Sequence, residues 1–204
     1  YALEPIMITI SEEMHKINFD GKWSFQKEWK KSSLYTINYD DGSVIELRTA
    51  HQDNFIYIFI DAVSDKHLDK KFDKAIVCLD SKNDKSVIAN NDDYCFVITF
   101  DEKEVLVLQG GSVKSENHFE NILTPAGFIG VGNSSDENDR YTSIPHLGYE
   151  LRIPTDLVGR TDSYGFYFAV FDAHSNKIYT WPQEITTDNI LEIPSPAMWS
   201  EIIS

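Results

Sequence analysis

Between Asn54 and Phe100 the chain alternates dense β-forming runs with acidic loops, and this stretch confines it to a β fold. Phe55-Ile-Tyr-Ile-Phe-Ile-Asp61-Ala-Val63 comes first, then Ala75-Ile-Val-Cys-Leu-Asp80, then Asp93-Tyr-Cys-Phe-Val-Ile-Thr-Phe100. β-branched and aromatic residues dominate each run, as a pleated, packed surface requires. Further strands are expected near Ile6–Ile10, Leu34–Asn38, Val44–Thr49, Val105–Gln109, Phe128–Gly132, Tyr149–Ile153, Gly165–Asp172 and Ile178–Trp181. Tyr39-Asp40-Asp41-Gly42-Ser43 carries a strong hairpin signal. Pro154-Thr-Asp-Leu-Val-Gly159 reads as one helical turn ended by its glycine. About ten short strands with little 3.6-residue period predict an all-β fold, an antiparallel β-sandwich of jelly-roll type. With no repeat, low-complexity tract or linker, residues 1–204 read as a single domain.

The formal net charge is −15. That argues against a nucleic-acid partner, which needs a basic surface, and against docking on anionic lipid. No apolar run approaches the roughly 18 residues of a membrane span, so direct insertion is not expected. The chain opens on Tyr1 and closes on Pro194–Ser204 without a polar tail. A removed leader before it and an anchor or further domain after it are the corresponding expectations. Cys78 and Cys95 lie in adjacent predicted strands, placed either for a disulfide or as two buried thiols. A bridge implies an oxidising compartment, and the sequon Asn133-Ser-Ser135 points the same way. The expected location is extracellular or the cell surface.

The loops flanking the second and third runs gather Asp80, Asn83, Asp84, Asp92 and Asp93. Carboxylate and amide oxygens suit a hard cation such as calcium, here in a discontinuous site without EF-hand spacing; solvated turns are the alternative. Asp136-Glu-Asn-Asp139 reads as a solvent-facing tip. The six histidines show no ligand spacing, so zinc is not expected. Haem would need an axial pair from Met7, Met14 or Met198 and a histidine, and nothing selects one. No Ser, Cys or Lys has a recognisable nucleophile setting, so catalysis is not expected.

Ile17-Asn-Phe-Asp20-Gly21-Lys22-Trp23 with Glu28-Trp29 resembles the opening of carbohydrate-binding module family 9. Phe55–Asp61, Phe72–Asp80 and Asp92-Asp93-Tyr-Cys-Phe96 resemble its central strands. Tyr149–Pro154 and Gly165–Asp172 with Trp181-Pro182 resemble its closing strands. The segments follow in order across residues 17–182. The resemblance implies a β-sandwich of the wider DOMON-like group, bound structural calcium and a sugar held between two aromatic rings. Those ring positions fall here on Phe72 and Trp181, and a basic sugar-contacting position falls on Val97. An aromatic face suits the CH-rich side of a pyranose, with amides and carboxylates meeting the hydroxyls. A core role at a strand end is the alternative for Trp181. Trp23 and Trp29 are expected to pack in the core, and Trp199 to anchor the tail or meet a neighbouring domain.

The expectation is thus a non-catalytic, calcium-stabilised carbohydrate-binding-like module with a glycan partner. The alternatives are a structural or adhesion domain with a cell-surface protein partner and no sugar site, or a haem-binding DOMON-like domain.

Overall fold

The computed structural model describes residues 5–10, 14–24, 27–139 and 141–203. Tyr1 and Ser204, on which the expectations about flanking segments rest, lie outside them. The strands are β1 Ile6–Met7, β2 Thr9–Ile10, β3 Ser33–Asn38, β4 Val44–Gln52, β5 Phe55–Ala62, β6 Lys74–Asp80 and β7 Asp93–Thr99. There follow β8 Leu106–Gly110, β9 Phe119–Ile122, β10 Ile129–Ser134, β11 Leu147–Pro154, α1 Thr155–Val158, β12 Ser163–Asp172, β13 Lys177–Trp181 and β14 Ser200–Ile203. No helix among the described residues is long and apolar enough to cross a membrane.

Eight strands form one sheet in the order β1-β14-β12-β6-β7-β8-β9, with β13 also on β12. Six form the second in the order β10-β11-β5-β4-β2, with β3 also on β4. Apart from the parallel pairs β1–β14 and β2–β4, every ladder is antiparallel. The all-β sandwich expected from the strand pattern is thus the observed class. Strand number exceeds the expected ten because the segment read as one strand at Ile6–Ile10 divides into β1 and β2, and because β9 and β14 are four-residue ladders too short to show alternation.

Period-two packing explains why the central runs look continuously apolar. Val77 and Leu79 of β6, Phe96 and Ile98 of β7, and Phe166 and Phe168 of β12 fill the space between the sheets. The intervening Ile76, Cys78, Cys95, Val97, Tyr167 and Ala169 face outward, yet they too are buried. Residues 182–199 cross that outer face and lay Ile185, Ile190, Ile193 and Trp199 on it. The second sheet is covered likewise, Met14, Ile17, Trp23 and Trp29 packing on Tyr57 and Phe59. Strands covered on both sides lose the polar half of their alternation.

Cys78 pairs with Cys95 across β6 and β7 and is joined to it, S–S 2.07 Å. The Asp20–Gly21 turn seats on β11 where Gly148 leaves room: a Cβ at Gly148 would stand 2.3 Å from the Gly21 carbonyl oxygen. Gly21 itself has φ +80°, a conformation glycine adopts without strain.

Candidate cation sites and the aromatic positions

Seven residues of β6 separate two acidic ends of the sandwich, about 23 Å apart at strand rise. At the C-terminal end of β6, carboxylate oxygens of Asp80, Asp84 and Asp92 lie within 4.8 Å of one another. Asp80 organises its own loop, accepting the backbone N–H of Lys82 at 3.2 Å and of Lys85 at 3.0 Å. Asp84 accepts from the Ser86 backbone and from Asn90 Nδ2. Asp92 Oδ2 is buried without a hydrogen-bond partner, as are Asp93 Oδ1 and Asn83 Oδ1.

The five residues expected to hold a cation therefore divide. Asp80, Asp84 and Asp92 converge. Asp93 turns its Oδ2 to the Asn90 N–H at 2.8 Å. Asn83 donates to Ser163 Oγ and Glu201 Oε1. Burial, reinforced by the charges of Asp80 and Asp92, pushes the Asp93 carboxyl up to about 7.

At the other end, Asp65, Asp73 and Asp172 bring oxygens within 4.8 Å of one another. Asp65 follows β5, Asp73 precedes β6 and Asp172 ends β12. Asp73 holds the two loops together, accepting the N–H of Ala173 at 2.9 Å and of Asp69 at 2.8 Å. Both Asp65 oxygens, Asp69 Oδ2 and the Tyr149 hydroxyl are buried without partners. Burial and the charges of Asp73 and Asp172 push the Asp65 carboxyl up to about 8. The 64–73 stretch reads in sequence as an ordinary polar loop. Its four-residue spacing of Asp65, Asp69 and Asp73 was the available signal. Orphaned buried carboxylate oxygens, with no sulfur or imidazole among them, fit a hard divalent cation.

Two further carboxylate groups satisfy themselves differently. Glu28 accepts the N–H groups of Asn18 and Ser24, while Glu150 accepts from the Asp20 N–H and Trp29 Nε1. The Asp-Gly…Glu-Trp opening is thus a clasp onto β11, and burial with the nearby Glu28 holds Glu150 well above the usual carboxyl range. Asp139, expected to face solvent, approaches Asp61 and His146. His146 Nε2 is 2.6 Å from Asp61 Oδ1, and its Nδ1 is 3.0 Å from Ser135 Oγ.

Two solved structures from Caldicellulosiruptor kristjanssonii share this architecture: a carbohydrate-binding module family 9 protein in complex with cellotriose, and one in complex with glucose. Their TM-scores are 0.61 and 0.63, covering 98% of this chain and 93% and 95% of theirs, at 13% sequence identity. The fold is that of carbohydrate-binding module family 9. No family model and no curated protein matches the sequence.

Against this family-9 fold the aromatic positions can be placed. Phe72 is 65% exposed, on the loop that carries Asp69 and Asp73. Trp181 is 4% exposed, its ring 5.3 Å from that of Tyr35. Its register opposite Phe168 turns it into the space between the sheets, because directly opposed residues share a face. Trp181 is therefore a core residue and offers no free ring, a correction to the expected platform. Phe72 sits in the turn before β6 while Trp181 is enclosed between the sheets, so the two do not present a facing pair of free rings. Val97 is 6% exposed beneath the 182–199 segment. His67 and His174, distant in sequence, stack at 3.6 Å with parallel planes.

Proposed function

We propose that the chain is a non-catalytic carbohydrate-binding-like module, stabilised by calcium, of a secreted or cell-surface protein. The observation that carries this reading is the fold, shared over 98% of the chain with modules holding cellotriose and glucose. Asp65, Asp73 and Asp172 would hold one ion, and Asp80, Asp84 and Asp92 another. Bound calcium supplies charge that neutralises the buried carboxylates. The chain's own part is to tie β5, β6 and β12 together at one end and the β6–β7 loop at the other. The Cys78–Cys95 bridge supports an oxidising compartment. Phe72, an exposed ring on the Asp69–Asp73 loop, is the aromatic surface offered to a sugar.

A second reading is a structural or adhesion domain that meets a cell-surface protein. It is favoured by the 182–199 segment, which covers Ile76 and Val97 with apolar side chains and leaves that sheet face without a slot.

A glycan panel probed in calcium and again in chelator separates the two. Binding that disappears in chelator supports the module. A blank panel with folded, calcium-loaded protein overturns it in favour of the structural domain.

A further inference from the structure

One buried carboxylate group differs from the calcium candidates because an imidazole belongs to it. Asp61 of β5 stands opposite Gly148 of β11, which makes His146, two residues earlier, its diagonal neighbour on the same face. Asp61 is 2% exposed and His146 1%. Asp139 comes from the connection between β10 and β11, and one ligand atom of each of the three lies within 4.8 Å of the others. Ser135 and His146 close that connection. The Ser135 backbone N–H donates to the His146 carbonyl at 2.7 Å, and the His146 backbone N–H to Ser135 Oγ at 2.9 Å. Asp139 Oδ1 accepts the backbone N–H groups of Tyr141 and Thr142 at 3.0 and 3.2 Å, which holds its carboxylate in place. An ion pair of Lys22 with Asp136, 2.7 Å, fastens the same connection to the Asp20–Gly21 turn.

The tautomer of His146 decides what the group can hold. Its Nδ1 stands 3.2 Å from the Ile144 carbonyl, which can only accept, so the hydrogen is assigned to Nδ1. Nε2 then faces Asp61 Oδ1 at 2.6 Å. In a neutral ring these are two acceptors face to face, and a positive charge must lie between them. Asp61 Oδ2 is buried with no hydrogen-bond partner among the described residues, so the carboxylate keeps coordinating capacity that the imidazole does not use. A ring held by N–H to a backbone carbonyl, with its other nitrogen turned to carboxylates, has the orientation of a metal-ligating histidine. One nitrogen with two carboxylate oxygens suits zinc and its first-row neighbours and leaves a fourth position for water, whereas calcium takes oxygen ligands alone. Zinc ligands at 2.0–2.2 Å stand roughly 3.3–3.6 Å from one another, so Nε2 and Oδ1 must part by only about 1 Å. We infer that Asp61, Asp139 and His146 form a transition-metal site that takes a zinc-class divalent ion and clamps the β10–β11 connection onto β5. Asp61 and His146 are 85 positions apart, which is why the spacing of the histidines does not reveal it. The inference does not depend on the carbohydrate-binding reading.

The competing explanation is that a proton alone fills the gap and leaves an imidazolium–carboxylate clasp. Calorimetric titration of zinc chloride into chelator-stripped protein, in excess calcium to occupy the all-oxygen sites, distinguishes the two. Cobalt(II) in place of zinc reports the ligand set by its visible absorption. Asp139→Asn removes a charge but keeps the oxygen that holds Tyr141 and Thr142, so it is expected to fold with an unchanged metal-free melting temperature. His146→Gln removes the nitrogen, and Asp139→Asn decides alone if that variant does not fold. His67→Asn controls for the stacked pair His67 and His174 on the surface. The expected result is one zinc ion per parent chain and a higher melting temperature with it. Affinity should fall at least tenfold in Asp139→Asn, vanish in His146→Gln and stay unchanged in His67→Asn. No zinc binding by the parent in excess calcium overturns the inference. So does zinc binding that survives Asp139→Asn or that is lost in His67→Asn. A calcium ion lost from Asp139→Asn would show that the group takes calcium instead, and overturns it as well.

Discussion

The ring of Trp199 stacks on that of Tyr167, centroids 6.3 Å apart and planes inclined by 20°. Tyr167 belongs to β12 and faces away from the main core, so this contact fastens the 182–199 segment to the outer sheet face. Trp199 Nε1 also donates to the Pro194 carbonyl at 3.0 Å. Trp199 is 3% exposed. Trp199→Ala should therefore cost about 3–5 kcal/mol, the usual range for truncating a buried large aromatic. Urea denaturation measures the loss, and increased binding of a hydrophobic dye would report an uncovered sheet face. A cost below about 1 kcal/mol would show that the segment is held elsewhere.

The disulfide closes the acidic β6–β7 loop between positions 17 residues apart. Replacing Cys78 and Cys95 together by Ala should lower stability by roughly 3 kcal/mol through the freed unfolded chain. The melting temperature should fall by about 6–12 °C at this chain length. Scanning calorimetry of the double variant against the oxidised parent tests this, and an unchanged transition would contradict it.

Asp65 and Asp93 give the domain a pH dependence of unusual sign. Their folded values near 8 and 7 stand above the ordinary carboxyl value of about 3.9. A raised folded value means that the folded state holds the proton more tightly. The associated stability is fully present below about pH 4 and drains as pH rises through 7 to 8. In chelator the melting temperature should accordingly fall between pH 5 and pH 8. Calcium should reverse the trend, because it binds the deprotonated form and competes with protons. At a hundredfold excess over Kd it adds about 2.7 kcal/mol. A melting temperature that rises with pH in chelator would contradict this assignment.

The Asp61–His146 pair is a buried clasp beside Ser135, both side chains almost fully enclosed. Burial alone would push the His146 imidazolium down, but the hydrogen bond and charge of Asp61 outweigh it and hold its pKa up. His146→Leu should cost about 3–5 kcal/mol by stranding a buried carboxylate. The double variant Asp61→Leu with His146→Leu should lose less than His146→Leu alone. Chemical denaturation of the single and double variants closes this cycle, and additive losses would contradict the pairing.

Much of the sandwich was legible before the structure. The runs at 55–63, 75–80 and 165–172 could be read because strands covered on both faces become continuously apolar. The positions of Cys78 and Cys95 followed from the hairpin-like order of their strands, and the exposure of Phe72 from Lys70, Lys71 and Asp73 around it. Trp181 was not legible because strand register decides its face, and a one-residue slip would reverse it. The Asp65–Asp73–Asp172 group was hidden because the loop before β6 and the distant end of β12 supply it together. The covering of Ile76 and Val97 depends on the path of residues 182–199, whose isoleucines carry no strand or helix period.

Calorimetric titration of calcium into chelator-stripped protein, for the parent and for Asp65→Asn with Asp73→Asn, tests the central claim most directly. The account predicts saturable calcium binding by the parent, with one set of sites lost in the double variant and the Asp80 site retained. Absence of calcium binding to the folded parent, or identical binding by parent and variant, would contradict the claim that the Asp65 end holds a cation.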